Sequence, residues 1–278
     1  MSMQLVDFLK IGAILYLVGH ALYLVFYAFD LYQLNPFVKL KPLSGAEQQF
    51  IEKRFPIYKE FSTSLKEKCN ERIVWFRSKK HFVCYGEINN KEELKLILSA
   101  TAVIMSLGLR SYRMLRSLNR IIIYPSQYYS RINKKHHLGE YNPRFKAVIF
   151  SADTIHKGFA HLTDNRNLAI HEFAHALSFE MGKSFSLEGR KFRAGLRSIS
   201  KLFAEEDFKV KFSASQYFRA YGLTNLQEFF SVAVENYFET PSIFKNDFPV
   251  LFDIIHDMLN MEYEYNKGGR TFRTSLEN

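Results

Sequence analysis

The chain has 278 residues, 47% of them hydrophobic and 16% aromatic, enough apolar material to bury a sizeable core. Its formal charge of +10 invites a nucleic-acid reading. The basic residues, however, are scattered from Lys66 to Lys211 without a finger, winged-helix or RNA-binding signature, so nucleic acid is not an expected partner. Two cysteines, Cys69 and Cys84, allow one disulfide at most, fit a reducing compartment, and form no CxxC pair for a structural metal.

The first element is an apolar segment. Ile11 to Phe29 carries no formally charged side chain and is bounded by Lys10 and Asp30. At about 1.5 Å per helical residue it reaches about 28 Å, the hydrocarbon thickness of a bilayer. The expectation is one transmembrane helix using residues 8–29, uncleaved because no small-x-small site follows it. His20 is the residue that fits this least well. Lys39, Lys41, Lys53 and Arg54 after the segment favour a single-pass protein with the rest of the chain in the cytoplasm. This divides the chain into an anchor with its flanks (1–36), a main domain (37–265) and a polar tail (266–278) expected to fray.

Pro36 to Pro42 reads as a linker, and Ser44-Gly45-Ala46-Glu47 is a capping box opening a helix through about Phe55. Pro56 restarts a helix with Tyr58, Phe61 and Leu65 at helical spacing. A short strand follows at His81–Tyr85, then a buried helix over Glu92–Leu107. Arg120–Tyr124 and Lys146–Ser151 are strands, and the loop between them holds His136 and His137, adjacent surface residues without metal-ligand spacing. Further helices are predicted at Asn165–Phe179, Leu187–Phe203 and Leu251–Glu262. The order is that of an α+β fold, mainly helical with a small mixed sheet.

His171-Glu172-Phe173-Ala174-His175 carries the chemistry. Residues four apart share a helix face, so both imidazoles can grip one Zn2+ ion while Glu172 stands beside it as a general base for a metal-activated water. A catalytic zinc needs a third protein ligand and an open position. Asn225 to Glu239 reads as one helix that Asn225 caps, and it presents Glu228 and Glu235 two turns apart on nearly one face. On spacing alone either glutamate can be the ligand, and Glu228 can instead close a capping box with Asn225.

These two stretches, Asn167 to Leu177 and Tyr221 to Pro241, resemble the zinc peptidases related to Mlc titration factor A, whose catalytic domain is similar to that of anthrax lethal factor. The resemblance extends more weakly to Leu43–Glu47, Ile121–Pro125 and Ala147–Ala152, and covers roughly residues 40 to 260. It implies a zincin-like fold and a zinc metallopeptidase. His171, His175 and Glu228 would be its metal ligands, Glu172 its catalytic glutamate, and Tyr221 a donor to the tetrahedral intermediate. Where the family has Lys-Leu-Asp after the second histidine, this chain has Ala176-Leu177-Ser178, so a carboxylate that would orient a ligand is missing, and Glu180 or Glu235 is the candidate replacement.

Zinc peptidases commonly hold an extended peptide against a sheet edge. Ala147, Val148, Ile149, Phe150 and Ser151 form the last strand before the metal helix and are the expected edge, the alternative being a buried strand of the same sheet. The leading expectation is a membrane-anchored zinc peptidase acting on a peptide or protein. The alternatives are a zinc-containing regulatory protein that captures a partner such as a transcriptional repressor, as the family's namesake does, and a zinc hydrolase of another amide.

Overall fold

The computed structural model describes residues 2–28, 40–130, 134–266 and 269–274. The chain forms two units, Met1–Lys41 and Pro42–Asn278. Residues 36–39 of the expected linker lie outside the described residues, as does Phe29 at the end of the expected anchor.

The first unit is one helix, α1 (Ser2–Ala28). Its stretch Asp7–Val25 has a mean hydropathy of 1.8 and is long and apolar enough to cross a membrane. Asp7 and Lys10 pair at its start, and from Ile11 to Val25 no side chain is formally charged, as a membrane-crossing helix requires. His20 lies between the rings of Tyr16 and Tyr23, with centroids 6.0 and 6.3 Å away, so the one imidazole of the segment is flanked by aromatic faces.

The second unit begins with α2 (Gly45–Arg54), which opens on the expected capping box: the Ser44 N–H donates to Glu47 Oε2 at 2.8 Å and the Glu47 N–H to Ser44 Oγ at 3.3 Å. The helix predicted from Pro56 through Leu65 is two helices. α3 (Pro56–Lys59) stops after one turn, and α4 (Thr63–Lys79) starts afresh because Ser62 Oγ accepts the Leu65 N–H. After β1 (His81–Cys84), α5 (Lys91–Met105) is buried along almost its whole length between α4 and the later metal helix, as its apolar composition predicts.

Then come β2 (Arg120–Tyr124), a hairpin of β3 (Tyr128–Ser130) and β4 (Lys135–His137), β5 (Gly139–Asn142) and β6 (Ala147–Ser151). His136 is exposed as expected, whereas His137 is half-buried and stacks on Tyr128. The main sheet has the order β1-β2-β6-β5, with β1, β2 and β6 parallel and β5 antiparallel. Ala147 to Ser151 is therefore not the edge. β6 pairs on both sides, and its run of small and branched apolar residues is that of a strand covered on both faces. The edge beside it is β5, whose Gly-Glu-Tyr-Asn sequence lacks a strand signature. Gly139 favours this approach: a Cβ would stand 2.8 Å from Leu168 Cδ2, so the Leu168 side chain at the start of the metal helix would have to move.

The rest of the unit is α6 (Ala152–Gly158), α7 (Leu168–Gly182), α8 (Leu187–Ala204), α9 (Glu206–Ser215), α10 (Leu226–Glu239), α11 (Pro241–Asp247) and α12 (Pro249–Leu259). A 3-10 turn, Ala220–Leu223, precedes α10. Pro241, read as a stop, also serves as the first residue of α11. Within the tail expected to fray, Gly269–Thr274 forms a strand: β7 (Met261–Asn266) pairs antiparallel with β8 (Gly269–Thr274). The site-bearing helices are pinned by aromatic rings. Phe173 on α7 meets Phe150 of β6 at 5.5 Å and Phe76 of α4 at 6.4 Å, and Phe229 on α10 sits among Phe203, Phe208 and Phe212.

Candidate metal centre

α7 starts at Asn167, whose side chain accepts the Ile170 N–H, and it brings His171, Glu172 and His175 to its first two turns. α10 starts at Asn225, which accepts from Gln227 and Glu228. Glu228 does not close that box. Its Oε2 lies 2.9 Å from His171 Nε2 and 3.4 Å from His175 Nε2. The two Nε2 atoms are 3.2 Å apart, and one ligand atom from each of His171, His175 and Glu228 fits within 4.8 Å.

The outer ring nitrogens are both engaged. His171 Nδ1 stands 2.7 Å from Glu235 Oε1, and His175 Nδ1 3.2 Å from Ser231 Oγ. An oxygen beside each Nδ1 can hold the ring proton there, which leaves each Nε2 to present its lone pair once a metal takes the place of any Nε2 proton. Two inward imidazole lone pairs and a carboxylate are the donor set of a catalytic zinc site with room for a fourth ligand, so the residues fit the ion. The metal centre is thus His171, His175 and Glu228.

Electrostatics shows how tightly these groups are bound together. Burial opposes a charged His171 ring, yet its hydrogen bonds to Glu228 and Glu235 raise its pKa to about 9. Burial likewise opposes the Glu228 charge, and the two imidazoles still hold that carboxyl far below its usual range. Glu172 is 6% exposed. Burial raises its pKa, against the pull of both histidines and a backbone hydrogen bond from Tyr141 of β5. Tyr221 is 53% exposed, with its ring centroid 6.1 Å from that of His171. Burial and the neighbouring Glu228, which accepts its hydroxyl, raise its pKa.

Of the two candidate replacements for the missing aspartate, Glu235 reaches the site and Glu180 does not. Glu180 accepts the backbone N–H groups of Arg116 and Ser117, each at 2.8 Å, and so anchors that loop to α7. Glu235 is 0% exposed and also accepts the Asn167 N–H at 2.8 Å and Arg219 Nη2. Ser231, Asn167 and Arg219 were not singled out from the sequence. Ser231 sits one turn after Glu228 on the same helix face, a spacing that could have found it; Asn167 opens the stretch that carries the histidines, whereas Arg219 belongs to no motif.

Residues 32–259 match the family described as glucose-regulated metallo-peptidase M90. A protein of Synechocystis sp. (strain ATCC 27184 / PCC 6803 / Kazusa), described as uncharacterized, is 24% identical over 267 residues, which are 91% of this chain and 94% of that protein. The match spans α2 to α12 and every residue of the centre, so the chain belongs to the glucose-regulated metallo-peptidase family M90 and is a zinc metallopeptidase.

Proposed function

We propose that the protein hydrolyses peptide bonds at a membrane surface, with Glu172 as general base and Tyr221 as donor to the oxyanion. When bound, zinc supplies a Lewis acid that makes water nucleophilic near neutral pH and polarises the scissile carbonyl. Glu172 takes the proton from that water as the O–C bond forms, then delivers it to the amide nitrogen as the C–N bond breaks. Burial suits Glu172 to this exchange, because a raised pKa brings the carboxyl nearer the operating pH. The Tyr221 hydroxyl, already directed to Glu228, can turn to the developing oxyanion.

β5 takes the role first given to β6. It ends the sheet beside α7, and its Tyr141 N–H reaches Glu172, so an extended peptide paired along Gly139–Asn142 would carry its scissile bond to the base. α1 is the membrane anchor, and the basic residues after it favour a cytoplasmic catalytic unit.

The observation that carries this reading is the pairing of a buried Glu172 with the convergent His171, His175 and Glu228. Metal analysis with hydrolysis of a peptide library by the wild type and Glu172→Gln tests it. Stoichiometric zinc in both proteins with turnover lost in the variant supports it. Equal turnover in both sinks it, and absence of turnover by zinc-loaded wild type would favour the partner-capturing alternative.

A further inference from the structure

We propose that Arg219 is a positioning residue that locks the Tyr221 turn to the metal centre through Glu235, so that one guanidinium aligns a metal ligand and an oxyanion donor together. Tyr221 is more than half exposed, with its hydroxyl directed to Glu228. Its place is set by the turn that carries it. That turn is closed by the Gly222 N–H donating to Arg219 O at 2.9 Å and the Thr224 N–H donating to Tyr221 O at 3.0 Å. One side of the turn is held by packing: a Cβ on Gly222 would stand 3.3 Å from Phe212 and 3.4 Å from Val232. The other side is held by Arg219, whose Nη2 binds Glu235 Oε1 and lies 3.4 Å from His171 Nδ1.

Glu235 is the hub. Its carboxylate, fully buried, takes the Nδ1 side of His171, the N–H of Asn167 at the start of α7, and Arg219. A buried carboxylate that loses its cation is costly to keep in place, so removing Arg219 would disturb the group that orients His171. It would also free the Tyr221 turn at one end. Both consequences come from a residue that touches neither the metal ligand atoms nor the position of a scissile bond. The arrangement orients His171 and at the same time carries a link to the oxyanion donor.

The catalytic half of this inference rests on Tyr221 acting as proposed above; the metal half does not. The test compares wild type, Arg219→Ala, Arg219→Lys, Tyr221→Phe and the Arg219→Ala/Tyr221→Phe double variant, all full-length, with circular dichroism to confirm folding. Zinc affinity is read by chelator competition, and kcat and KM at saturating zinc. Arg219→Ala should weaken zinc about tenfold or more, in the range of outer-shell changes, and by the same factor whether or not Tyr221 is present. At saturating zinc it should lower kcat with KM little changed, and that loss should shrink in the Tyr221→Phe background. Arg219→Lys, which keeps the charge without the planar fork, should recover most of the zinc affinity and less of kcat. Unchanged zinc affinity in both Arg219 variants overturns the inference. Independent kcat losses in the double variant overturn its catalytic half. A Tyr221→Phe variant with wild-type kcat would count against Tyr221 itself while leaving the zinc comparison to decide the role of Arg219. If Arg219→Ala fails to fold, Arg219→Gln, which keeps a polar side chain and discards the charge, carries the same comparison.

Discussion

Ser231 Oγ lies 3.2 Å from His175 Nδ1, one helical turn beyond Glu228, and Glu235 repeats the relationship with His171 one turn further on. A single face of α10 therefore supplies a ligand and the outer partner of each imidazole. The two partners differ in charge, which predicts unequal effects. Ser231→Ala removes a neutral hydroxyl and should weaken zinc only a few-fold, whereas Glu235→Gln removes a carboxylate and should cost about tenfold to a hundredfold. Chelator competition on the two variants checks this, and equal losses would reject the ranking.

Glu228 contacts both Nε2 atoms, while Glu235 reaches only the far side of one ring. Glu228→Gln should therefore deplete zinc more deeply than Glu235→Gln when both are purified with the same limiting metal. Metal content by mass spectrometry decides, and the reverse order would make Glu235 the ligand.

Lys80 supplies a pH prediction away from the metal. Its ammonium is buried, donates to Met114 O and Leu118 O, and burial lowers its pKa to about 7. An unfolded lysine titrates near 10.5, so between those values the unfolded chain binds more protons and stability rises with pH. The slope from this group is at most about 1.4 kcal/mol per pH unit. Relative to Lys80→Met, which keeps the stem and discards the charge, the wild type should gain stability from pH 7 to 9. Denaturation of both proteins in one detergent measures the difference, and a difference independent of pH would show that the ammonium does not titrate there.

Removing residues 1–35 deletes α1 and leaves the unit that begins at Pro42 intact. In detergent-free fractionation the full chain should sediment with membranes and the shortened one remain soluble with its zinc bound. Membrane retention of the shortened chain would assign the association to another surface.

The metal centre was legible because its spacings are local: four residues for the histidines, and a cap followed by two turns for Glu228 and Glu235. The choice between those glutamates was not, since both lie on one face and only the tertiary approach of α7 to α10 separates ligand from partner. The edge strand escaped for a related reason. An apolar run such as Ala147–Phe150 does not reveal whether one or both of its edges are paired, and the polar β5 gave no periodic signal. The terminal hairpin had one: Glu262-Tyr263-Glu264-Tyr265 alternates strictly before Gly268-Gly269, a period-two pattern outweighed by the polarity of the segment. Arg219 had no local signature, because its meaning comes from a carboxylate sixteen residues away.

The sharing of one face of α10 by Glu228, Ser231 and Glu235 also bears on how the lineage can change. The geometry of the metal depends on two short helical stretches, while α8 and α9, inserted between them, supply none of its ligands. Changes in α8 and α9 can leave the ligands in register as long as Phe203, Phe208 and Phe212, which hold Phe229 of α10, are kept. Descendants of one ancestral enzyme can thus acquire new surroundings for an inherited reaction.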